Sequence, residues 1–280
     1  MGRVTPDGAI RRLQIDDLAA FSDLSESRGW GRPSTRWSIV LRHALAWGID
    51  HPDGGLAGTV TLCSYAGGPA VLGGMLVATD HERRGLGSRL VQHALAAADG
   101  PVLLYATAFG EPVYRRLGFV TAETMHVHIG SCPGTVRENR RDVTVDRPDN
   151  DNVARLIELD RAAGSGDRQV ILSALAGTAD ARVVIHPSGR AAGLSYWSGD
   201  LLMVGPIIAD SDDEAIDIAA ALAAGAPHCR LDAATCQEAL RDWCTSNGLD
   251  EDRTAPGMTF GAAGWEPSAR RRTLASQGFG

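Results

Sequence analysis

The segment Gly73 to Leu95, GGMLVATDHERRGLGSRLVQHAL, sets an apolar run, a basic glycine turn and an amphipathic stretch in direct succession. At Gly85-Leu86-Gly87 the missing Cβ atoms let backbone N–H groups approach an anion, and a helix starting there aims its partially positive end at the same point. A diphosphate is the ligand such a turn suits. Arg83 and Arg84 add positive charge to it, and Ser88 is read as opening the helix. Leu86, Leu90, Val91, Ala94, Leu95 and Ala98 recur at three- and four-residue spacings, so one face packs while Arg89, Gln92 and His93 face outward.

A second stretch, Leu103 to Val120, LLYATAFGEPVYRRLGFV, reads as strand, turn, short helix and a strand restarting at Phe119. Pro112 suits the first helical turn, where its missing N–H is harmless, and Gly118 suits the left-handed position that closes a helix. With Val113 and Leu117 toward the core, the spacing puts Tyr114 about 100° away, on the rim.

This order of an apolar strand, an RRGLGS loop, a helix and a YRRLGF helix and strand resembles the GNAT superfamily of acyl-CoA-dependent N-acyltransferases. The resemblance covers the first half, from AIRRLQIDDLAAFSDL to VTAETMHVHI, and extends more loosely to the bacterial subgroup with a second GNAT-like half. One position departs from the family's pattern: the residue three before the first glycine is Glu82 rather than Gln or Arg. The backbone donors of the loop do not depend on it.

The resemblance implies acetyl-CoA as cosubstrate, with the diphosphate held by Arg83, Arg84, Gly85, Gly87 and Ser88 and the pantetheine arm along Met75 and Val77. A backbone N–H near Val77 or Ala78 would hold the thioester oxygen as it gains charge, a contribution of roughly 3 kcal/mol per donor elsewhere. The amine attacks directly, so no catalytic cysteine or serine is required. Tyr114 takes the place of the family's general acid. A phenol near pKa 10 protonating a thiolate near 8.5 runs uphill by about 1.5 units, roughly 2 kcal/mol, so hydrogen bonding to the sulfur counts as much as transfer.

No carboxylate stands on the strand before the loop, where family members often carry the general base. His126 and His128 alternate onto one strand face, and imidazole is the side-chain type suited to deprotonating an ammonium near neutrality; water relays are the alternative. Trp30, Trp37 and Trp47 fall in the segment that covers the acceptor pocket in such proteins, with core packing as their other role. No metal is expected.

The polar stretch Ser131 to Asn152 reads as a linker, which divides the chain into residues 1–141 and 142–280. Beyond it the first half's order repeats: two helices split by Gly164 and Gly166, a hairpin around Pro187 to Gly189, then GDLLMVGPIIADSDDEAIDIAAALAAG at the place of the loop and helix. In the first half the corresponding helices are DDLAAFSDLSESRGW and WSIVLRHALAWG. Asp210, Asp212, Asp213 and Glu214 replace the arginines and glycines, and two such charges ~4 Å apart repel by about 4 kcal/mol at an effective dielectric near 20. The expectation is a second half without a diphosphate site and without a counterpart of Tyr114, which completes the acceptor pocket, mediates dimerisation or stabilises the first half. Arg270, Arg271 and Arg272 read as a solvated patch.

At 280 residues the chain can form two domains with proper cores. A net charge of −7 argues against nucleic-acid binding, and the absence of a ~20-residue apolar run or a signal-like N-terminus argues for a cytosolic protein away from membranes. The five cysteines are odd in number and never spaced CxxC, so buried thiols are expected rather than disulfides or zinc. All 27 basic residues are arginine, which excludes a pyridoxal-phosphate lysine and a phosphate-loop lysine.

The sequence thus leads to an α/β (α+β) protein of two tandem GNAT-like domains, each a twisted mixed sheet flanked by helices, with one acyl-CoA site. The expected reaction is acetyl transfer to a primary amine of a small molecule, in a monomer or homodimer. A non-catalytic acyl-CoA-binding module is the alternative, and a different nucleotide at the same loop is a third.

Overall fold

Strands β1 (Ile10–Arg12), β2 (Leu45–Asp50), β3 (Leu56–Cys63), β4 (Ala70–Val77), β5 (Val102–Tyr105) and β6 (Val120–Cys132) of the first half join six of the second in one twelve-stranded sheet. The computed structural model describes residues 8–132, 143–261 and 268–280. Every residue of β3 is buried because both faces are covered, by helix α1 (Leu18–Ser27) and helix α2 (Ser34–His43) on one side and α3 (Leu86–Ala96) on the other. A short helix α4 (Glu111–Arg116) precedes β6.

The second half repeats this order as α5 (Asn150–Ala162), α6 (Gln169–Ala176), β7 (Arg182–Ile185), β8 (Ala192–Ser198), β9 (Leu201–Ile208), α7 (Asp212–Ala223), β10 (Ala226–Ala234), α8 (Glu238–Ser246) and β11 (Leu249–Phe260), then β12 (Arg271–Thr273). The sheet order is β1-β2-β3-β4-β5-β11-β6-β10-β12-β9-β8-β7. The two halves therefore exchange strands. β11 returns from the second half to lie antiparallel between β5 and β6, while β6 crosses to pair with β10. The division at residues 141 and 142 lies outside the described residues.

One apolar core draws on both halves, with Phe21, Trp37 and Leu103 meeting Leu156, Tyr196 and Phe279. Smaller cores lie under α3 and under α7. One helix expectation fails: WSIVLRHALAWG is helical only to His43. From Leu45 the chain is β2, whose ladders to β1 and β3 outweigh the local helical period.

Two features of this sheet matter for chemistry. Parallel strands β4 and β5 pair only at Ala70↔Val102 and Val71↔Leu103 and then separate, leaving the C-terminal part of β4 without a neighbour on that side. At the equivalent place in the second half, β9 and β10 also diverge, but β12 fills the gap by pairing with both.

Candidate active site

Strand β4 bends where it leaves β5. Between Thr61↔Gly73 and Thr59↔Leu76 it carries one residue more than β3, and Gly74 takes φ +52° to absorb it. The Thr59 hydroxyl donates to the Gly74 carbonyl at 2.7 Å and pins the bulge. A Cβ on Gly74 would come 3.0 Å from Thr61 and 3.1 Å from Phe21, so a side chain would crowd both neighbours as well as strain the backbone angle. Beyond the bulge the Ala78 N–H donates to the Ala57 carbonyl at 2.8 Å, and the alternation of antiparallel pairing then points the Val77 N–H away from β3, into the gap. This corrects the expectation for Ala78, whose donor is already engaged.

The loop follows directly. Gly85 sits at φ +80° as the N-cap of α3, which begins at Leu86; Ser88 lies inside the first turn and does not open the helix. Arg83 also adopts a positive φ of 60°. Among the described residues none accepts a hydrogen bond from the backbone amides of residues 83–88, and Arg83 and Arg84 are exposed with no carboxylate partner. Glu82 turns instead to Arg28 at the end of α1, 2.6 Å away, and Arg28 also donates to Thr79 at 2.6 Å, which ties the loop to the first helix. On the other flank Asp80 bridges His51 at 2.8 Å and His81 at 3.0 Å, and those two contacts, His81 first, hold its carboxyl well below the usual range. Their geometry would accept a metal ion, but none of the three lines the cavity described next.

Met75, Val77 and Tyr114 line a single cavity of about 530 Å³ that opens from the gap beside β4. Tyr114 is the buried residue of α4, stacked edge-on against Phe119 at 5.8 Å, while Val113 and Leu117 are only half-buried. This reverses the expected facing: Tyr114 packs into the core under α3 with Phe119 and Leu90, and it also borders the cavity. Burial lifts the Tyr114 phenol well above its ordinary value of 10.0 and keeps it protonated. Trp30, Arg36 and Trp37 supply the wall formed by α2 and the turn before it, and Phe109, 69% exposed, stands at the mouth.

The second half supplies the opposite wall: Arg230 from β10, Arg253 from β11, and Gln277, Gly278 and Phe279 from the segment after β12. That segment is clamped. Tyr65 donates to the Phe279 carbonyl at 2.8 Å, Tyr196 donates to the Ala275 carbonyl at 2.9 Å, and Arg168, in a buried pair with Asp160, donates to the Gly280 oxygen. None of these cavity contributions beyond the tryptophans was signalled in the sequence, because they come from distant elements that only the strand exchange brings together.

Other expected groups stand elsewhere. His126 and His128 do not line the cavity: β6 lies between β10 and β11, where His126 contacts Glu251 at 2.8 Å and Thr235 at 2.9 Å, and burial lowers the pKa of His128. They are not the base for this site. Trp47 packs against His93 at 5.1 Å, away from the cavity. Among the described residues the cavity lining contains no histidine, and its one carboxylate is Glu82. Tyr105 also lines it, donating to Glu123 at 2.9 Å. Cys63 is buried and its thiol is pushed up to about 12. Among the described residues no cysteine or serine lines the cavity.

Two family models, both for an acetyltransferase (GNAT) domain, match residues 42–121 and 156–273. The chain belongs to the GNAT acetyltransferase family. It carries two GNAT domains in tandem and is a GNAT-type N-acetyltransferase. A Bacillus subtilis protein named "Uncharacterized N-acetyltransferase YitH" is 26% identical over 257 residues, covering 89% of this chain and 90% of its own. A protein from Pyrococcus horikoshii, provisionally assigned as an acetyltransferase in its crystal structure, superposes with TM-score 0.83 at 18% identity over 100% of this chain and 98% of that one. A tandem GNAT protein from the clavulanic acid biosynthesis pathway superposes with TM-score 0.63 at 10% identity over 90% of this chain and 98% of that one.

GNAT enzymes use acetyl-CoA, and the two GNAT domains differ in what they offer it. In the second domain the start of α7 is capped by its own side chains: Ser211 accepts from the Glu214 amide at 3.3 Å and Glu214 accepts from the Asp210 amide at 3.2 Å. The arginine triplet is no solvated patch. Arg270 and Arg272 bind Asp210 and Asp212, each at 2.6 Å, and Arg271 reaches Glu123 at 3.4 Å, so these residues fasten β12 between β9 and β10, into the counterpart of the gap that β4 and β5 leave open.

Proposed function

We propose that the protein transfers the acetyl group of acetyl-CoA to a primary amine of a small molecule, by direct attack in a ternary complex at the first GNAT domain. The observation that carries this reading is the meeting of three features: unclaimed amides at residues 83–88, an open edge on β4, and Tyr114 in the cavity between them and the second domain. Arg83, Arg84, Gly85, Gly87 and Ser88 would hold the diphosphate, Met75 and Val77 the pantetheine. The Val77 N–H would face the thioester oxygen as negative charge develops on it. The amine nitrogen forms the new C–N bond, the C–S bond breaks, and the departing thiolate takes a hydrogen bond from Tyr114. The attacking nitrogen loses its extra proton to water. Residues 142–280 would bind no second acetyl-CoA, a reading supported by β12 in its gap and by the acid-capped α7.

One observation favours the non-catalytic alternative: no free base lines the cavity among the described residues. Titration calorimetry with acetyl-CoA and a CoA thiol-release assay over an amine panel separate the readings. One equivalent bound per chain, with release that rises as pH approaches the amine's own pKa, supports direct attack by an amine that arrives neutral. Binding without release from any amine would leave an acyl-CoA-binding module, and two equivalents would end the assignment of a single site.

A further inference from the structure

We propose that the acceptor amine also carries a carboxylate, and that Arg36, Trp37 and Gln277 form the site that holds it. This rests on the acyl-transfer reading and names the chemical class of its second substrate. Arg28, Arg36, Arg230 and Arg253 line the cavity against the single carboxylate of Glu82. Three of these arginines have an acid of their own. Arg28 binds Glu82 at 2.6 Å, Arg230 binds Asp232 through two contacts of 2.7 and 2.6 Å, and Arg253 binds Asp252 at 3.2 Å.

Arg36 has none. Among the described residues no carboxylate lies within 4.0 Å of its guanidinium, which stacks over the Trp37 ring at 4.1 Å. The groups whose charge acts on it are Tyr196, Arg230 and Asp232, all of the second domain.

Its own Nε and two uncharged donors of the cavity lining agree. Arg36 Nε, Trp37 Nε1 and Gln277 Nε2 are all shielded from solvent without a hydrogen-bond acceptor, and all three residues line this cavity. A buried donor without an acceptor is costly, and each of these three is a donor on a residue that lines the cavity. The missing partner is an acceptor-only anion. A carboxylate offers two oxygens in a plane, which a guanidinium and neighbouring N–H groups can share. The two walls of the site come from different domains, which gives the second GNAT domain a role in acceptor choice without an acetyl-CoA site of its own.

The test uses the full-length protein. CoA release is measured for matched pairs that differ in the carboxylate, such as phenylalanine with phenethylamine and tryptophan with tryptamine, and for aminoalkyl phosphates. Binding of N-acetylated amino acids is measured in parallel by calorimetry. The expected result is a kcat/KM at least tenfold higher for carboxylated members. Arg36→Gln should raise their KM at least tenfold, with acetyl-CoA affinity and Tm retained and partial recovery in Arg36→Lys. Equal rates within pairs, a preference that survives Arg36→Gln, or selection of the phosphates would overturn the carboxylate assignment. If acetyl-CoA binds but no amine releases CoA, the transfer reading falls on its own. The carboxylate site then stands or falls on whether N-acetylated amino acids bind in an Arg36-dependent way.

Discussion

Tyr114 is the residue whose role depends most on its surroundings. Its place in YRRLGF was legible from the sequence, but its burial was not, since helical spacing alone set it on the rim and only the packing of α4 against the core under α3 decides which face is covered. Burial raises its pKa, so the protonated form persists to higher pH than in a free phenol and full transfer to a thiolate becomes still less favourable. The hydrogen bond itself is then the useful contribution. Replacing Tyr114 by Phe should lower kcat by about 10–100-fold, the range of one hydrogen bond to a charged group of ~1.5–3 kcal/mol, while the KM for acetyl-CoA stays within about twofold. In the wild type, steady-state rates should show no decline on the alkaline side up to about pH 10 that Tyr114→Phe abolishes; such a limb would mean an ionising Tyr114 and a lower pKa than its burial dictates. Arg36 was missed for a comparable reason: an arginine in a helix reads as surface until the partners it lacks can be counted.

At the scale of elements, the strand, glycine turn and helix from β4 to α3 were readable because each is specified locally, by an apolar run, by Gly85 and by a three-to-four spacing. The bulge and the divergence of β4 from β5 were not, because they are properties of pairing between segments far apart in sequence. Gly74 connects the two levels. A side chain there must adopt φ near +52° and meet Thr61 and Phe21 at about van der Waals limits or closer. Gly74→Val should therefore cost about 1–3 kcal/mol of stability in denaturant titration and weaken acetyl-CoA binding several-fold, because the Val77 N–H would lose its aim. Unchanged affinity in a folded Gly74→Val protein would detach the bulge from the binding site. Helix α7 makes the same point in reverse: its acids were correctly read as hostile to phosphate, yet their role as caps and as anchors for Arg270 and Arg272 depends on a strand that no local pattern announces.

For the molecule as a whole, the repeat in the sequence is real, but the two GNAT domains are not beads on a string. β11 supplies the neighbour that β5 would otherwise lack, β6 supplies the neighbour of β10, and the shared core joins Trp37 to Tyr196 and Phe279. The repeat was visible because both copies keep the same order of elements, whereas the exchange was invisible because a strand's sequence specifies its faces and not its partner. Strand exchange also explains how Arg230, Arg253 and Gln277 reach a cavity that begins at β4. A fragment ending at residue 141 would expose the edges of β5 and β6 that β11 covers, and would leave Phe21 and Trp37 without the second-half side chains they pack among. Such a fragment should lack a cooperative thermal transition and a dispersed amide NMR spectrum, and should recover both on mixing with residues 142–280. The intact chain should unfold in one calorimetric step despite its two domains. Two well-separated transitions, or a sharply folded 1–141 fragment, would mean that the exchanged strands contribute little and that each half closes its own sheet in solution.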